Sequence, residues 1–119
     1  MKFVLDIPPS INDMYLTIRG RRVLSPEARA YKKAGILMVK KAVRGLDLSA
    51  YDNGMSLTAD IFFVYKRKRD LDGGWKILQD VICEGLGIND NRVDEIHLYR
   101  GVDKANPRVY VEVHALEVD

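Results

Sequence analysis

Two aspartates, Asp70 and Asp72, stand two residues apart in "YKRKRDLDGGWK", directly after four cations, Lys66, Arg67, Lys68 and Arg69, and shortly before Lys76. On extended backbone, carboxylates with this spacing project to one side of the chain and can grip one ion together. A third acid, Asp90 in "GINDNRV", lies in a turn that returns the chain to a strand, so the strand end and the turn are expected to meet at one edge. Three carboxylates with room for water suit a hard, octahedral cation such as Mg²⁺. The cations against them have a matching use, because hydrolysis of a nucleic-acid backbone needs side chains that hold phosphates beside a metal. Plain structural uses exist too. Aspartate caps helices and forms tight turns, so "RDLDGG" and "NDN" can be a capped entry and an ordinary turn. Lys76 can pair with Asp72 or Asp80 at helical spacing, worth about 0.3–0.5 kcal/mol on an exposed helix.

The elements around these residues read as follows. "KFVLDI" alternates as a short strand does, and "PPS" stops it, since consecutive prolines cannot extend a ladder. A loop follows. In "SPEARAYKKAGILMVKKAVRG", Ser25 caps, Pro26 takes the first helical position, Glu27 favours the positive end of the dipole and Gly45 closes the far end. Ala30, Ala34, Leu37, Met38 and Val39 recur near helical period and are expected to face the core, leaving Arg29, Lys32, Lys33, Lys40 and Lys41 outside. "LTADIFFVY" is a second strand that delivers the chain into the cationic run. From Asp72 the period turns helical: Trp75, Leu78, Val81, Ile82 and Leu86 form a buried stripe ending near "GLG", with Asp72, Lys76 and Asp80 on another face. "VDEIHLYR" and "RVYVEVHAL" are the last two strands, joined through the turn formers of "GVDKANP". The order predicts one α+β domain over residues 1–119, with a mixed sheet of about four strands and two main helices.

Bulk properties narrow the options. The 119 residues are enough for a single modest core and too few for two. The longest apolar run, Ala34 to Val39, is far short of the roughly 18 residues a membrane span needs, and the N-terminal apolar stretch is too short for a signal peptide, which predicts a cytoplasmic protein. One cysteine, Cys83, excludes an internal disulfide and a thiolate zinc cluster. The first fifty residues carry ten lysines and arginines against four acids, the remainder nine against thirteen. A basic half suits a polyanion and an acidic half suits a divalent cation. Other motifs fail. Neither "DLDGGW" nor "NDNRVDE" keeps the calcium-loop spacing, "GLG" lacks the rest of a dinucleotide fingerprint, and His97 and His114 have no ligand spacing to each other.

Taken together, "PPSINDMY", "RGRRVLSPEARAY" and "RDLDGGWK…GINDNRV" resemble the RusA family of Holliday junction resolvases from about Leu5 to Leu116. The resemblance implies a RusA-like fold and a homodimeric nuclease, of bacterial or phage origin and nucleoid-associated. It would cut four-way DNA junctions with Mg²⁺, Mn²⁺ being the expected substitute. It carries the catalytic acids over to Asp70, Asp72 and Asp90, which would bind the metal, and the catalytic lysine to Lys76. Arg19, Arg21, Arg22, Lys32 and Lys33, with Lys66, Arg67, Lys68 and Arg69, become candidate contacts to the DNA backbone. Gly73 departs from the family, which commonly has asparagine there, and Asn89 precedes Asp90 where a second aspartate is frequent. A general nuclease on flaps or duplex would use the same acids, and a non-catalytic binding module would use them only as caps.

Overall fold

A computed structural model describes residues 1–117. The elements are β1 (Lys2–Leu5), α1 (Ile11–Met14), β2 (Tyr15–Ile18), β3 (Arg21–Leu24), α2 (Pro26–Ala42), β4 (Met55–Phe63), α3 (Trp75–Leu86), β5 (Val93–Val102) and β6 (Arg108–Ala115). Four strands form a mixed sheet in the order β1-β6-β4-β5, and β2 and β3 form a separate hairpin. The chain is α+β, as its element order predicts.

β4 alternates with near-perfect period two: Met55, Leu57, Ala59, Ile61 and Phe63 are all buried. Val109, Val111 and Val113 of β6 sit beside them, and both rows pack under α2 and α3. Each large apolar side chain buried here contributes about 1.5–3 kcal/mol, so this layer carries the stability of the domain. The opposite sheet face is open and mixes charged with aromatic side chains, with Glu95–His97 on β5 and Glu112–His114 on β6 in side-chain contact at 3.2 and 3.1 Å.

β5 pairs with β4 in parallel, Met55 opposite Val93 and Phe63 opposite Val102, while β6 pairs with β4 antiparallel on its other side. The last two strands are therefore not neighbours, and "GVDKANP" carries the chain past the end of β4. A parallel pair needs a crossover, and α3 supplies it. The segment after Phe63 consequently lies at one end of the sheet, and the turn before Val93 lies at the other.

Ser25 behaves as read: its hydroxyl accepts from the Ala28 amide (3.1 Å) and donates to the Asp13 carbonyl (2.7 Å). Of the α2 positions that periodicity points at the core, Val39 is buried as expected and the other four are not. Ala28, Gly35 and Val39 are buried, whereas Ala30, Ala34, Leu37 and Met38 are exposed. The reason is the seam with α3. A Cβ at Gly35 would lie 2.7 Å from Val81 Cγ1, and one at Gly85 only 2.4 Å from Val39 Cβ, so two glycines let the helix backbones close on each other's valines. The "RGRR" segment, read as loop, is the tip of the β2–β3 hairpin. Arg19 (φ 52°) and Gly20 (φ 76°) are both left-handed, as a two-residue type I′ turn demands.

Candidate active site

The acid-bearing segment is an irregular connection between β4 and α3, anchored by polar clasps and by Leu71, which packs against the core. Arg69 donates from one guanidinium nitrogen to the carbonyls of Pro8 (2.9 Å) and Pro9 (3.0 Å). Arg100, from β5, donates to the carbonyls of Lys66 (2.7 Å) and Arg69 (2.8 Å). Both guanidiniums lie over the Phe63 ring, at 5.5 and 4.9 Å from its centroid. Gly74 completes the junction, because a Cβ there would meet Pro8 Cγ at 2.4 Å. "PPSIN" and "RDLDGG", sixty residues apart in sequence, thus form one surface.

These clasps change the assignment of Arg69. Partial burial pulls its pKa down, and both its contacts are to backbone carbonyls, so Arg69 positions the loop instead of facing solvent. Lys66, Arg67 and Lys68 remain exposed. Arg19, Arg21 and Arg22 are exposed on the hairpin, where Arg22 stacks on Tyr15 at 4.0 Å. Lys33 is exposed, but Lys32 is half-buried and paired with Glu84 at 3.1 Å.

Asp70 and Asp72 do not lie on extended strand. The Gly73 amide donates to the Asp70 carbonyl (3.3 Å) and the Trp75 amide to the Asp72 carbonyl (3.0 Å), so the two acids occupy a turn. Neither side chain caps α3, whose N-terminus has no side-chain cap. Among the described residues neither carboxylate is in an ion pair. Asp70 lines a cavity of about 170 Å³ with Ser10, Ile11, Asn12, Lys68, Arg69 and Gly73. At Gly73 an added Cβ would come no closer than 3.4 Å to any atom, the nearest being the Asp70 carbonyl oxygen, so a side chain fits at this point.

Asp90 is elsewhere. It opens a 3₁₀ turn, Asp90–Arg92, capped by the Asn89 side chain, which accepts from the Asn91 amide (3.0 Å). This turn follows α3, whereas Asp70 precedes it, and the parallel β4–β5 pairing puts the end of β4 and the start of β5 at opposite ends of the sheet. Lys76, in the first turn of α3, reaches Asp80 and Asp90, its ammonium lying 3.3 Å from the first and 3.8 Å from the second. The Asp80 contact first, and the charge of Asp90 after it, raise the Lys76 pKa and keep it cationic. Asp80 and Asp90 line a cavity of about 220 Å³ with Cys83, Glu84, Ile88 and Asn89. Burial, reinforced by Asp90, pushes the Cys83 thiol up to about 11, so it is an inert core group and no nucleophile.

Carboxylates are the right chemistry for a hard cation, yet among the described residues no three Asp, Glu, His or Cys side chains converge closely enough to hold one. One chain brings Lys76 to Asp90 and gathers Asp70 with Lys68, but it does not gather Asp70, Asp72 and Asp90. Sequence reasoning missed Arg100, whose strand position reads like any solvent-facing residue, and the Ser10 to Asn12 wall of the Asp70 cavity, which local pattern cannot connect to residue 70.

A family model described as Endodeoxyribonuclease RusA matches residues 6–114. The chain is 28% identical over 120 residues to the crossover junction endodeoxyribonuclease rusA of Enterobacteria phage HK97, an alignment covering 98% of this chain and 95% of that protein. It is 24% identical over 118 residues to the crossover junction endodeoxyribonuclease RusA of Aquifex aeolicus (strain VF5), covering 97% and 90%.

Proposed function

The chain belongs to the RusA family of endodeoxyribonucleases, and from that premise we propose that it is a Mg²⁺-dependent resolvase of four-way DNA junctions. The observation that carries this reading is the turn itself. Asp70 and Asp72 are exposed carboxylates with no described ion-pair partner, placed directly after the exposed cations Lys66, Arg67 and Lys68. Unpaired acids repel phosphate, so a site combining them with phosphate-gripping cations makes chemical sense when a divalent cation joins it. Mg²⁺ at such a site supplies a Lewis acid and a water of lowered pKa. The single chain does not gather the three acids, so their convergence is assigned to the assembled complex of protein, metal and junction.

The chain's own residues have separable tasks. Lys66, Arg67 and Lys68 hold the backbone near Asp70, while Arg19, Arg21 and Arg22 on the hairpin, with Lys33, extend the cationic footprint. Lys76, fixed by Asp80 and Asp90, offsets charge that builds on the phosphoryl oxygens as water attacks in line. The products are a 5′-phosphate and a 3′-hydroxyl. Resolution needs two symmetric cuts, which a two-fold homodimer with one site per subunit provides.

The test is cleavage of a four-way junction, a flap and a linear duplex of matched sequence, with and without Mg²⁺, by wild type and by Asp70→Asn. Wild type is expected to cut the junction alone, and only with metal. Asp70→Asn should lose cleavage by about a thousandfold, near 4 kcal/mol of barrier, while still shifting the junction on a gel. Equal cutting of flap or duplex would favour a general nuclease, and near-normal cutting by Asp70→Asn would remove that residue from the site.

A further inference from the structure

A second, larger cavity adjoins the one lined by Asp70, and its character differs. It holds about 420 Å³ and is lined by Ile7, Phe63, Val64, Tyr65 and Pro107, with Ser10, Asn12, Lys68 and Arg69 along one side. Those last four residues also line the Asp70 cavity, so the two spaces share a wall. The apolar cavity is open to solvent across Val64 and Tyr65, which are 36% and 53% exposed, and the Lys68 ammonium sits over the Tyr65 ring at 5.3 Å.

A phosphodiester backbone has no use for an aromatic, aliphatic cavity. A nucleobase does: it offers a flat apolar face for stacking and an edge of donors and acceptors. Tyr65 can supply a stacking face, and the Asn12 amide stands at the polar wall with both donor and acceptor capacity, beside the Ser10 hydroxyl, which donates to Asp13 (2.9 Å) and retains acceptor capacity. Lys68 and Arg69 edge both cavities, and Lys68 is free to meet a phosphate there. The size falls within the range of small-molecule sites, ample for one base. Bases inside a duplex are stacked and cannot enter, whereas bases at a branch point are already partly unstacked, so the cost of extruding one there is lower.

We propose that this cavity receives a single unstacked nucleobase from the strand whose phosphate lies at Asp70, with Tyr65 as its stacking face and Asn12 as the reader of its edge. The inference rests on the nuclease reading for the identity of the strand. It makes the cavity a specificity site: branch-point bases fill it, and a fully paired duplex leaves it empty.

The experiment uses four-way junctions carrying one abasic residue at each position, in turn, within two nucleotides of the cut. Each is tested for gel-shift affinity and single-turnover cleavage with wild type, Tyr65→Ala, Tyr65→Phe and Asn12→Trp. Tyr65 and Asn12 are exposed, so these changes leave the core untouched. Loss of the base at one position should slow wild type or weaken its binding at least about fivefold, the scale of one base–aromatic stack. Tyr65→Ala should impose the same loss on the intact junction and add nothing on the abasic one, whereas Tyr65→Phe should retain wild-type behaviour. Asn12→Trp, which fills the cavity, should behave as Tyr65→Ala does. Cleavage with no sensitive position, or abasic and Tyr65→Ala losses that multiply, overturns the base pocket and leaves the nuclease intact. Base-dependent binding without cleavage overturns the nuclease and leaves the pocket, and absence of junction binding overturns both.

Discussion

The seam between α2 and α3 and the turn carrying Asp70 are held together by different means. At the seam, Gly35 and Gly85 admit Val81 and Val39 to contacts that no larger residue allows, and the partly exposed Lys32–Glu84 ion pair joins the same two helices. At the turn, two arginines donate to four backbone carbonyls, and the apolar contacts are the Phe63 ring, the Gly74–Pro8 approach and the half-buried Leu71 against the core. Packing is insensitive to what binds outside, whereas a hydrogen-bonded loop keeps its backbone in place and leaves its other side chains free for solvent, metal or DNA. The domain therefore separates the residues that make it stable from those that would make it work, and substitutions can test how complete that separation is.

The largest effect on stability is expected at the seam. Gly85→Ala places a methyl against Val39 and 3.3 Å from the Ile36 carbonyl oxygen, neither of which can withdraw freely. Overpacking of this kind costs about 1–3 kcal/mol and should lower the melting temperature by several degrees. Cleavage by the folded fraction should stay near wild type. A variant that melts normally but fails to cut would mean that the helix seam and the acid turn are coupled.

Arg100→Ala should do the converse. Removing both clasps to the Lys66 and Arg69 carbonyls releases the loop, with a stability loss of about 1–2 kcal/mol given partial exposure and a drop in cleavage of about tenfold, the size expected when positioning is lost. Arg100→Lys should not restore the rate, since one ammonium cannot span two carbonyls as a guanidinium fork does. Hydrogen exchange in residues 64–74 reads the outcome directly: amides that stay as protected as in wild type would show that the turn does not depend on Arg100.

The smallest effect concerns the open sheet face. The His97 contact lowers the Glu95 pKa and the His114 contact lowers that of Glu112, with Lys2 assisting the latter. A carboxyl depressed in the folded state stabilises above its unfolded value, near 4.5, and that contribution disappears as pH falls through the folded value. Melting curves of wild type and a His97→Gln, His114→Gln double variant should therefore differ slightly at about pH 5 and converge at about pH 3, with the difference reduced by salt. A gap that persists in acid would assign these histidines a packing role.

Much of this was legible in the residues themselves. The Ser25, Pro26 and Glu27 start, the stripe from Leu78 to Leu86, the β4 alternation and the i, i+4 pairing of Lys76 with Asp80 are all local, and local physics decides them. The motifs "RDLDGGWK" and "GINDNRV" likewise announce acids beside cations without help from the fold. Tertiary structure decided what depends on partners distant in sequence. Which face of α2 is buried was set by Val81 and Gly85 on another helix, because several faces of that helix carry small or apolar residues at helical spacing. Arg69 became a clasp because Pro8 and Pro9 offer it carbonyls. That Asp70 and Asp90 sit on different connections and line different cavities, one leaving β4 and the other entering the parallel β5, was decided by strand direction, which is not encoded in the spacing of the acids.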